Sequence, residues 1–204
     1  MGIDIEFAAN IKGFMADEEA VKLYETALIA AELGPCLEIG SYCGKSAYFL
    51  GTACKEKQGI LFSIDHHRGS EEQQPGEEYF DPDLFDKTLG RINTFNLFQD
   101  TLERAGLGDC VVPIVAGSSV AGRLWSTPIS LLFIDGGHSF EAASNDFRLW
   151  SPHIVKHGFL VIHDIFFDPA EGGQAPRQIY EMALASGKFE LISITNTLGV
   201  LKSC

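Results

Sequence analysis

The sequence predicts an α/β protein with a Rossmann-like, seven-stranded, mostly parallel sheet, helices on both faces and the last strand antiparallel. Three observations carry this reading. Short apolar runs alternate with helical patterns between Cys36 and Ile162, the rhythm of strand–helix units. The first run, Cys36-Leu37-Glu38-Ile39, leads into a glycine turn, Gly40 to Gly44, and a helix start at Ser46. Two closing runs, Phe189 to Thr195 and Gly199 to Ser203, flank a turn at Asn196-Thr197, as in an antiparallel pair.

The chain has 204 residues, which suits one domain over residues 1–204 with a sizeable core. No internal repeat or linker interrupts it. The formal net charge of -13 opposes a nucleic-acid partner, because phosphates need a basic surface. It does not oppose a small neutral or cationic ligand. No apolar run is long enough to span a membrane. The N-terminus carries acids where a secretory signal carries bases, and Glu6 stands where a myristoylation site wants Ser or Thr. Five cysteines without a C-x-x-C pair suggest reduced thiols, hence a cytoplasmic protein. The oligomeric state stays open, a homodimer included.

The elements follow in order. Residues 1–14 give no signal. Asp17 is expected to cap a helix over about 17–33, with Val21, Tyr24, Leu28 and Ala31 on its packed face. After the glycine turn a helix runs to about Lys55, then a strand from Ile60 to Ile64 ends in Asp65. An acid roughly 20 residues or more past such a turn is where ribose hydroxyls bind. The segment 66–83 has no periodicity and is rich in Gly, Pro and acids. Its length and its place after a strand end read as a lid over a ligand, or else as a solvated acidic insertion. His66 and His67, where it leaves the strand, are candidate ligand contacts.

Leu84 to Gly106 reads as a helix, with a break near Gly90. Val111 to Ala116 is an edge strand, because Pro113 lacks an N–H. Gly117-Ser118-Ser119 at its end suits a nucleobase, or merely the cap of the next helix. Ile129 to Ile134, wholly apolar except Ser130, is a central strand ending in Asp135-Gly136-Gly137-His138. A helix over 139–154 follows, with Phe140, Ala143, Phe147 and Trp150 on one face. Phe159 to Ile162 is the fifth strand and ends in His163-Asp164. His153 and His157 are expected near a helix end. Residues 169–176 form a second loop on the ligand side, and Gln174 to Ser186 a last helix.

Two strand ends therefore each bring an Asp and a His to one edge, where open α/β sheets bind ligands. Carboxylates with imidazole hold a divalent ion or move protons. The glycine turn itself fits neither the dinucleotide fingerprint nor the phosphate loop: Tyr42 and Lys45 replace glycines, and only three residues separate Gly40 from Gly44. Glu38 before the turn suits a cationic nucleoside better than a pyrophosphate. A tight turn without a ligand is the plainer alternative.

With these residues on the page, Glu38-Ile39-Gly40-Ser41-Tyr42-Cys43-Gly44-Lys45-Ser46 together with Asp135 and Asp164 resembles the class I S-adenosylmethionine-dependent methyltransferases. The catechol O-methyltransferase type and the small bacterial O-methyltransferases are the nearest likeness, over roughly residues 30–166. The resemblance implies S-adenosylmethionine as cofactor. It places Gly40, Tyr42 and Ser46 at its methionine part, Asp65 on the ribose, Ser119 near the adenine and Asp135 near the methionine end. The expected cofactor set is Glu38, Gly40, Ser41, Tyr42, Gly44, Ser46, Asp65, His66, Gly117, Ser118, Ser119, Asp135 and Gly136. In catechol O-methyltransferases two Asp and one Asn hold magnesium. Asp135 and Asp164 match the carboxylates, Ile165 stands at the Asn position, and His138 at that of the catalytic lysine.

The expected function is methyl transfer to an oxygen of a small-molecule acceptor. His138 is the expected base, oriented by Asp135 and Asp164, and Asp135, Asp164 and His163 are candidate metal ligands. A cofactor-binding protein of the same fold without transfer activity is the alternative. An NAD-type dehydrogenase is disfavoured by the missing third glycine.

Overall fold

A computed structural model describes residues 2–137 and 139–204. Two stretches without a charged residue other than Glu38 make its centre: β1 (Cys36–Ile39) and β6 (Ile129–Ile134) are buried at every position. They pair in parallel. Around them lie β2 (Leu61–Asp65), β5 (Val111–Val115), β7 (Ile154–Ile162), β8 (Phe189–Thr195) and β9 (Leu198–Ser203), in the order β5-β2-β1-β6-β7-β9-β8. Within this sheet, among the described residues, only the pairings of β9 are antiparallel. Seven strands, mostly parallel with the last reversed, is the predicted sheet. β5 is at the edge, where Pro113 withholds no ladder bond.

Alternating side chains divide the core in two. Leu131, Phe133 and Val161 face α2 (Asp17–Ala30) and α3 (Lys45–Glu56). Leu37, Leu132 and Leu160 face α6 (Phe140–Trp150) and α7 (Ala175–Ala185). The remaining elements are α1 (Ile5–Ala9), a two-residue hairpin of β3 (Phe85–Asp86) and β4 (Arg91–Ile92), α4 (Phe95–Ala105) and the single turn α5 (Ser118–Ala121).

Several boundaries differ from expectation. Ala16, not Asp17, is the cap of α2, and Ala16 N–H is held by the Glu19 carboxylate at 3.1 Å. Its buried face is Ala20, Leu23, Ala27 and Ala30, one position off the larger stripe, because small residues let α2 lie close to its neighbours. The expected helix from Leu84 is instead the hairpin β3–β4 followed by α4: Gly90 takes φ +64 in a tight turn. The helix expected to reach 154 stops at Trp150, where Ser151-Pro152 begins a 3₁₀ turn. β7 starts earlier than expected and contains His157. Phe140 is half exposed, while Ala143, Phe147 and Trp150 are buried as expected.

The segment 66–83 carries two short 3₁₀ turns, Glu71–Gln73 and Pro82–Leu84. Lys12 ties it to the N-terminal segment through Asp81 and Asp83. Leu84 anchors its far end in a small apolar cluster with Cys43 and Ile92.

One position fixes how β1 meets β6. Gly40 sits at φ +88, and a Cβ there would run into the backbone of Asp135. Gly40→Ala is expected to destabilise the fold by at least about 2 kcal/mol, from backbone strain plus the clash. Thermal unfolding of the variant measures this, and an unchanged melting temperature contradicts it.

Candidate active site

The C-terminal strand ends and the loops after them enclose a cavity of about 1040 Å³. Its floor begins at the glycine turn. Asp65, at the end of β2, accepts from Ser41 N–H and Tyr42 N–H through Oδ2, each at 2.9 Å, and from His67 N–H through Oδ1 at 2.6 Å. One carboxylate thus shapes the turn of the neighbouring strand. A carboxylate offers about four lone-pair sites, so three backbone donors leave room for a ligand hydroxyl.

Glu38 lies beneath this floor. It is fully buried, and its two oxygens accept from Ser46 Oγ at 2.8 Å and Ser63 Oγ at 2.6 Å. Burial pushes its pKa up to about 8, against the pull of the two serines and with a further push from the charges of Asp135 and Asp65. Glu38 therefore does not line the cavity, contrary to the expectation of a ligand contact; it holds Ser46, which does. Gly44 is likewise off the cavity wall. It takes φ +93 at the start of α3 and faces Phe98 and Thr101. His67 is buried between Phe95 and Phe98 with Nδ1 at 2.8 Å from Thr94 Oγ1, a packing role. The other expected contacts, Gly40, Ser41, Tyr42, Ser46, Asp65 and His66, line the cavity, as do Gly117, Ser118, Ser119, Asp135 and Gly136.

The opposite end holds a charge cluster. His163 is 4% exposed. Its Nδ1 lies 3.2 Å from Asp135 Oδ1 and 3.4 Å from Asp164 Oδ1, and its Nε2 lies 3.0 Å from Glu19 Oε2. Asp164 adopts φ +59, a left-handed turn directly after β7. Burial lowers the His163 pKa, but Asp135, Asp164 and Glu19 outweigh it and the net shift is upward. Burial likewise raises Glu19, while His163 and Thr197 pull it down further, to about 2. The folded protein therefore favours an imidazolium facing ionised acids. Glu19 Oε1 also accepts from Thr197 N–H at 2.8 Å and Thr197 Oγ1 at 2.7 Å, in the β8–β9 turn.

Asp135, His163 and Asp164 each offer a ligand atom within 4.8 Å of the others. Ile165 is buried and supplies no ligand. His138, the expected base, lies outside the described residues. His153 is in a 3₁₀ turn and His157 in β7; neither lines the cavity.

Sequence reasoning missed two acids. Glu19 was not among the expected site residues; its one signal was its place in the first turn of α2, three residues after Ala16. Asp146, on α6, is 6% exposed and bonds Ser118 Oγ. Its signal was stronger: an acid between Ala143 and Trp150 on the packed face.

A parallel sheet with a glycine turn, a strand-end acid and an acid–imidazole cluster on one cavity defines a ligand-binding site at the sheet's C-terminal edge. Residues 37–165 match the family described as a methyltransferase domain, and the chain belongs to that family. Solved structures share the fold. Cofactor-bound Rv0187 from MTB is 16% identical, with a TM-score of 0.67 over 98% of this chain and 87% of its own. The O-methyltransferase NovP is 11% identical, with a TM-score of 0.68 over 91% and 79%. An O-methyltransferase from Bacillus cereus, solved with SAH, is 14% identical, with a TM-score of 0.64 over 98% and 87%. Among the described residues no helix is long and apolar enough to cross a membrane.

Glu19→Ala is expected to destabilise the fold by about 3–5 kcal/mol at neutral pH, because it strands a buried imidazolium. The pH dependence has a definite sign. The folded pKa of Glu19 lies below its ordinary 4.5, so its contribution is complete above that value and fades as pH falls toward about 2. That of His163, with a raised pKa, is complete below 6.5 and persists through neutrality. The stability gap between wild type and Glu19→Gln is thus expected to be wide at pH 7 and to narrow below pH 4, as read by denaturant titration.

Proposed function

We propose that the protein transfers the methyl group of S-adenosylmethionine to an oxygen of a small molecule. The observation that supports this is a single cavity with the glycine turn, Asp65 and Gly117 to Ser119 along one part and the Asp135–His163–Asp164 cluster at another. Its volume lies at the upper end of small-ligand sites, enough for a nucleoside cofactor and an acceptor together. The Asp65 carboxylate retains acceptor capacity for ribose hydroxyls. Acids outnumber the lysines Lys12 and Lys45 along the wall, which favours a cation and disfavours an anionic polymer such as nucleic acid.

The sulfonium cofactor supplies an electron-poor methyl group, and the sulfur keeps the bonding pair as the methyl leaves. The chain's own task is then positioning and proton removal. Ser46, fixed by Glu38, and the backbone of the glycine turn hold the methionine part. Asp65 holds the ribose. The acceptor hydroxyl proton passes to His138, the base that the sequence offers. Asp135 and Asp164 orient the acceptor and the base.

The donor set also fits a divalent ion, provided that the ion displaces the Nδ1 proton of the His163 imidazolium. Asp135 and Asp164 would give oxygens and His163 Nδ1 a nitrogen, while Glu19 behind Nε2 fixes the ring, as acids do behind metal-bound histidines. A nitrogen ligand favours zinc, iron, nickel or manganese over magnesium. Such an ion would lower the pKa of an acceptor hydroxyl bound to it. Four buried free cysteines, Cys36, Cys43, Cys54 and Cys110, support a reducing, cytoplasmic location.

Calorimetric titration with S-adenosylmethionine, followed by turnover to S-adenosylhomocysteine over a panel of hydroxylated compounds, tests the reading. Tight binding with no turnover on any compound would favour a cofactor-binding protein of the same fold. Asp65→Ala is expected to weaken cofactor binding by roughly 1–3 kcal/mol, the scale of an unmet buried hydrogen bond. Circular dichroism of the variant separates this from a collapsed glycine turn. For the metal, exhaustive chelation is expected to stop turnover and one added divalent ion to restore it. Full activity with no metal by elemental analysis would leave His138 working alone.

A further inference from the structure

A groove of about 430 Å³ opens beside the main cavity and continues from it, since Lys12, Gly13, Phe14, Tyr42, Glu78 and Tyr79 line both. The mechanism above gives it no occupant. Its walls come from the N-terminal segment, the glycine turn and the segment 66–83. The Phe14 ring lies 5.6 Å from that of Tyr42 and 5.4 Å from that of Tyr79, between centroids. Phe14 and Tyr79 nonetheless stay 63% and 45% exposed. Bare aromatic faces grouped at a cavity mouth mark a binding surface. Tyr42 also takes φ +48, which a bulky residue adopts only at a cost, and Asp65 holds it there through Tyr42 N–H at 2.9 Å. Glycine would make the same turn without strain, so the strain is kept for the ring.

The charges of the groove do not cancel. Lys12 is already matched twice, by Asp81 at 2.5 Å and by Asp83 at 3.3 Å. Among the described residues, the Glu78 carboxylate has no ion-pair or hydrogen-bond partner. The excess charge is therefore negative. A negative groove with exposed ring faces suits a cation, which pairs with the carboxylate and is drawn to the electron-rich faces. It repels an anion and gives a neutral group no charged partner.

We propose that this groove seats a protonated amine of the acceptor, among Phe14, Tyr42, Tyr79 and Glu78, while the acceptor's hydroxyl lies at the Asp135–Asp164 end of the main cavity. The acceptor is then an elongated hydroxylated amine, not a neutral alcohol or a hydroxy acid. The inference rests on the methyl transfer proposed above and names its substrate class. An ammonium has no lone pair, so seating it in the groove also keeps the nitrogen from competing with the hydroxyl for the methyl group.

The test uses three compounds of one length that differ in charge: 6-amino-1-hexanol, 1,6-hexanediol and 6-hydroxyhexanoate. Each is titrated by saturation-transfer NMR against full-length protein with S-adenosylhomocysteine, and each is offered as acceptor with S-adenosylmethionine. Wild type is expected to bind the amine about tenfold more tightly than the diol, and the hydroxy acid most weakly. The same order is expected in kcat/KM. Glu78→Gln and Phe14→Leu, both at exposed positions, are each expected to cut the preference for the amine several-fold. Equal binding of amine and diol by wild type overturns the proposal. So does tighter binding of the hydroxy acid, no binding of any of the three, or a preference that survives both substitutions. Failure of the transferase reading looks different: the amine is still preferred in binding, yet no compound is methylated, which overturns the amine as acceptor together with the reaction.

Discussion

The structure depends on one buried ionic contact, His163 between Glu19 on one ring nitrogen and Asp135 and Asp164 on the other. Taking such charges out of water is costly, and the cost is met only when opposite charges and hydrogen bonds satisfy every face. Here they do, and the consequence is architectural. Glu19 belongs to α2, Asp135 follows β6, His163 and Asp164 follow β7, and Thr197, also held by Glu19, turns β8 into β9. Four parts of the chain far apart in sequence are thereby fixed at one end of the cavity. The N-terminal segment that lines the cavity, Lys12 to Met15, is set by where α2 begins.

A second contact of the same kind organises the other end. Asp65 lends its carboxylate to the backbone of the glycine turn, so the loop after β1 takes its shape from the strand beside it. Glu38 does the equivalent from below through Ser46. Acids that read as ligand contacts in the sequence are partly scaffold. That is physically sensible: a turn with exposed N–H groups is a ready anion site, and an internal carboxylate occupies it permanently, leaving a surface suited to a cation.

Much of the fold was legible because it follows from local rules. The apolar runs at Ile129 to Ile134 and Phe159 to Ile162 had to be buried strands, and Pro113 had to sit at an edge. Where the reading slipped, periodicity alone was too weak. The stretch after Leu84 has enough apolar residues for a helix, but Gly90 and packing against Cys43 turned it into a hairpin. In α2 the larger residues suggested one stripe, and close contact chose the smaller one beside it.

By itself the sequence determined the sheet, its reversed last strand and the residues gathered at its C-terminal edge, because side-chain alternation, glycine turns and strand-end acids are properties of short stretches. It also narrowed the ligand, since an acidic chain with Glu38 before its turn disfavours phosphates. Only the tertiary structure decided what each acid does. Glu19, Glu38, Asp65 and Asp146 are all carboxylates; which one faces imidazole, serine hydroxyls, backbone N–H groups or the cavity wall is set by partners contributed from elsewhere in the chain. Those long-range contacts, and the desolvation that comes with them, exist only once the elements have packed.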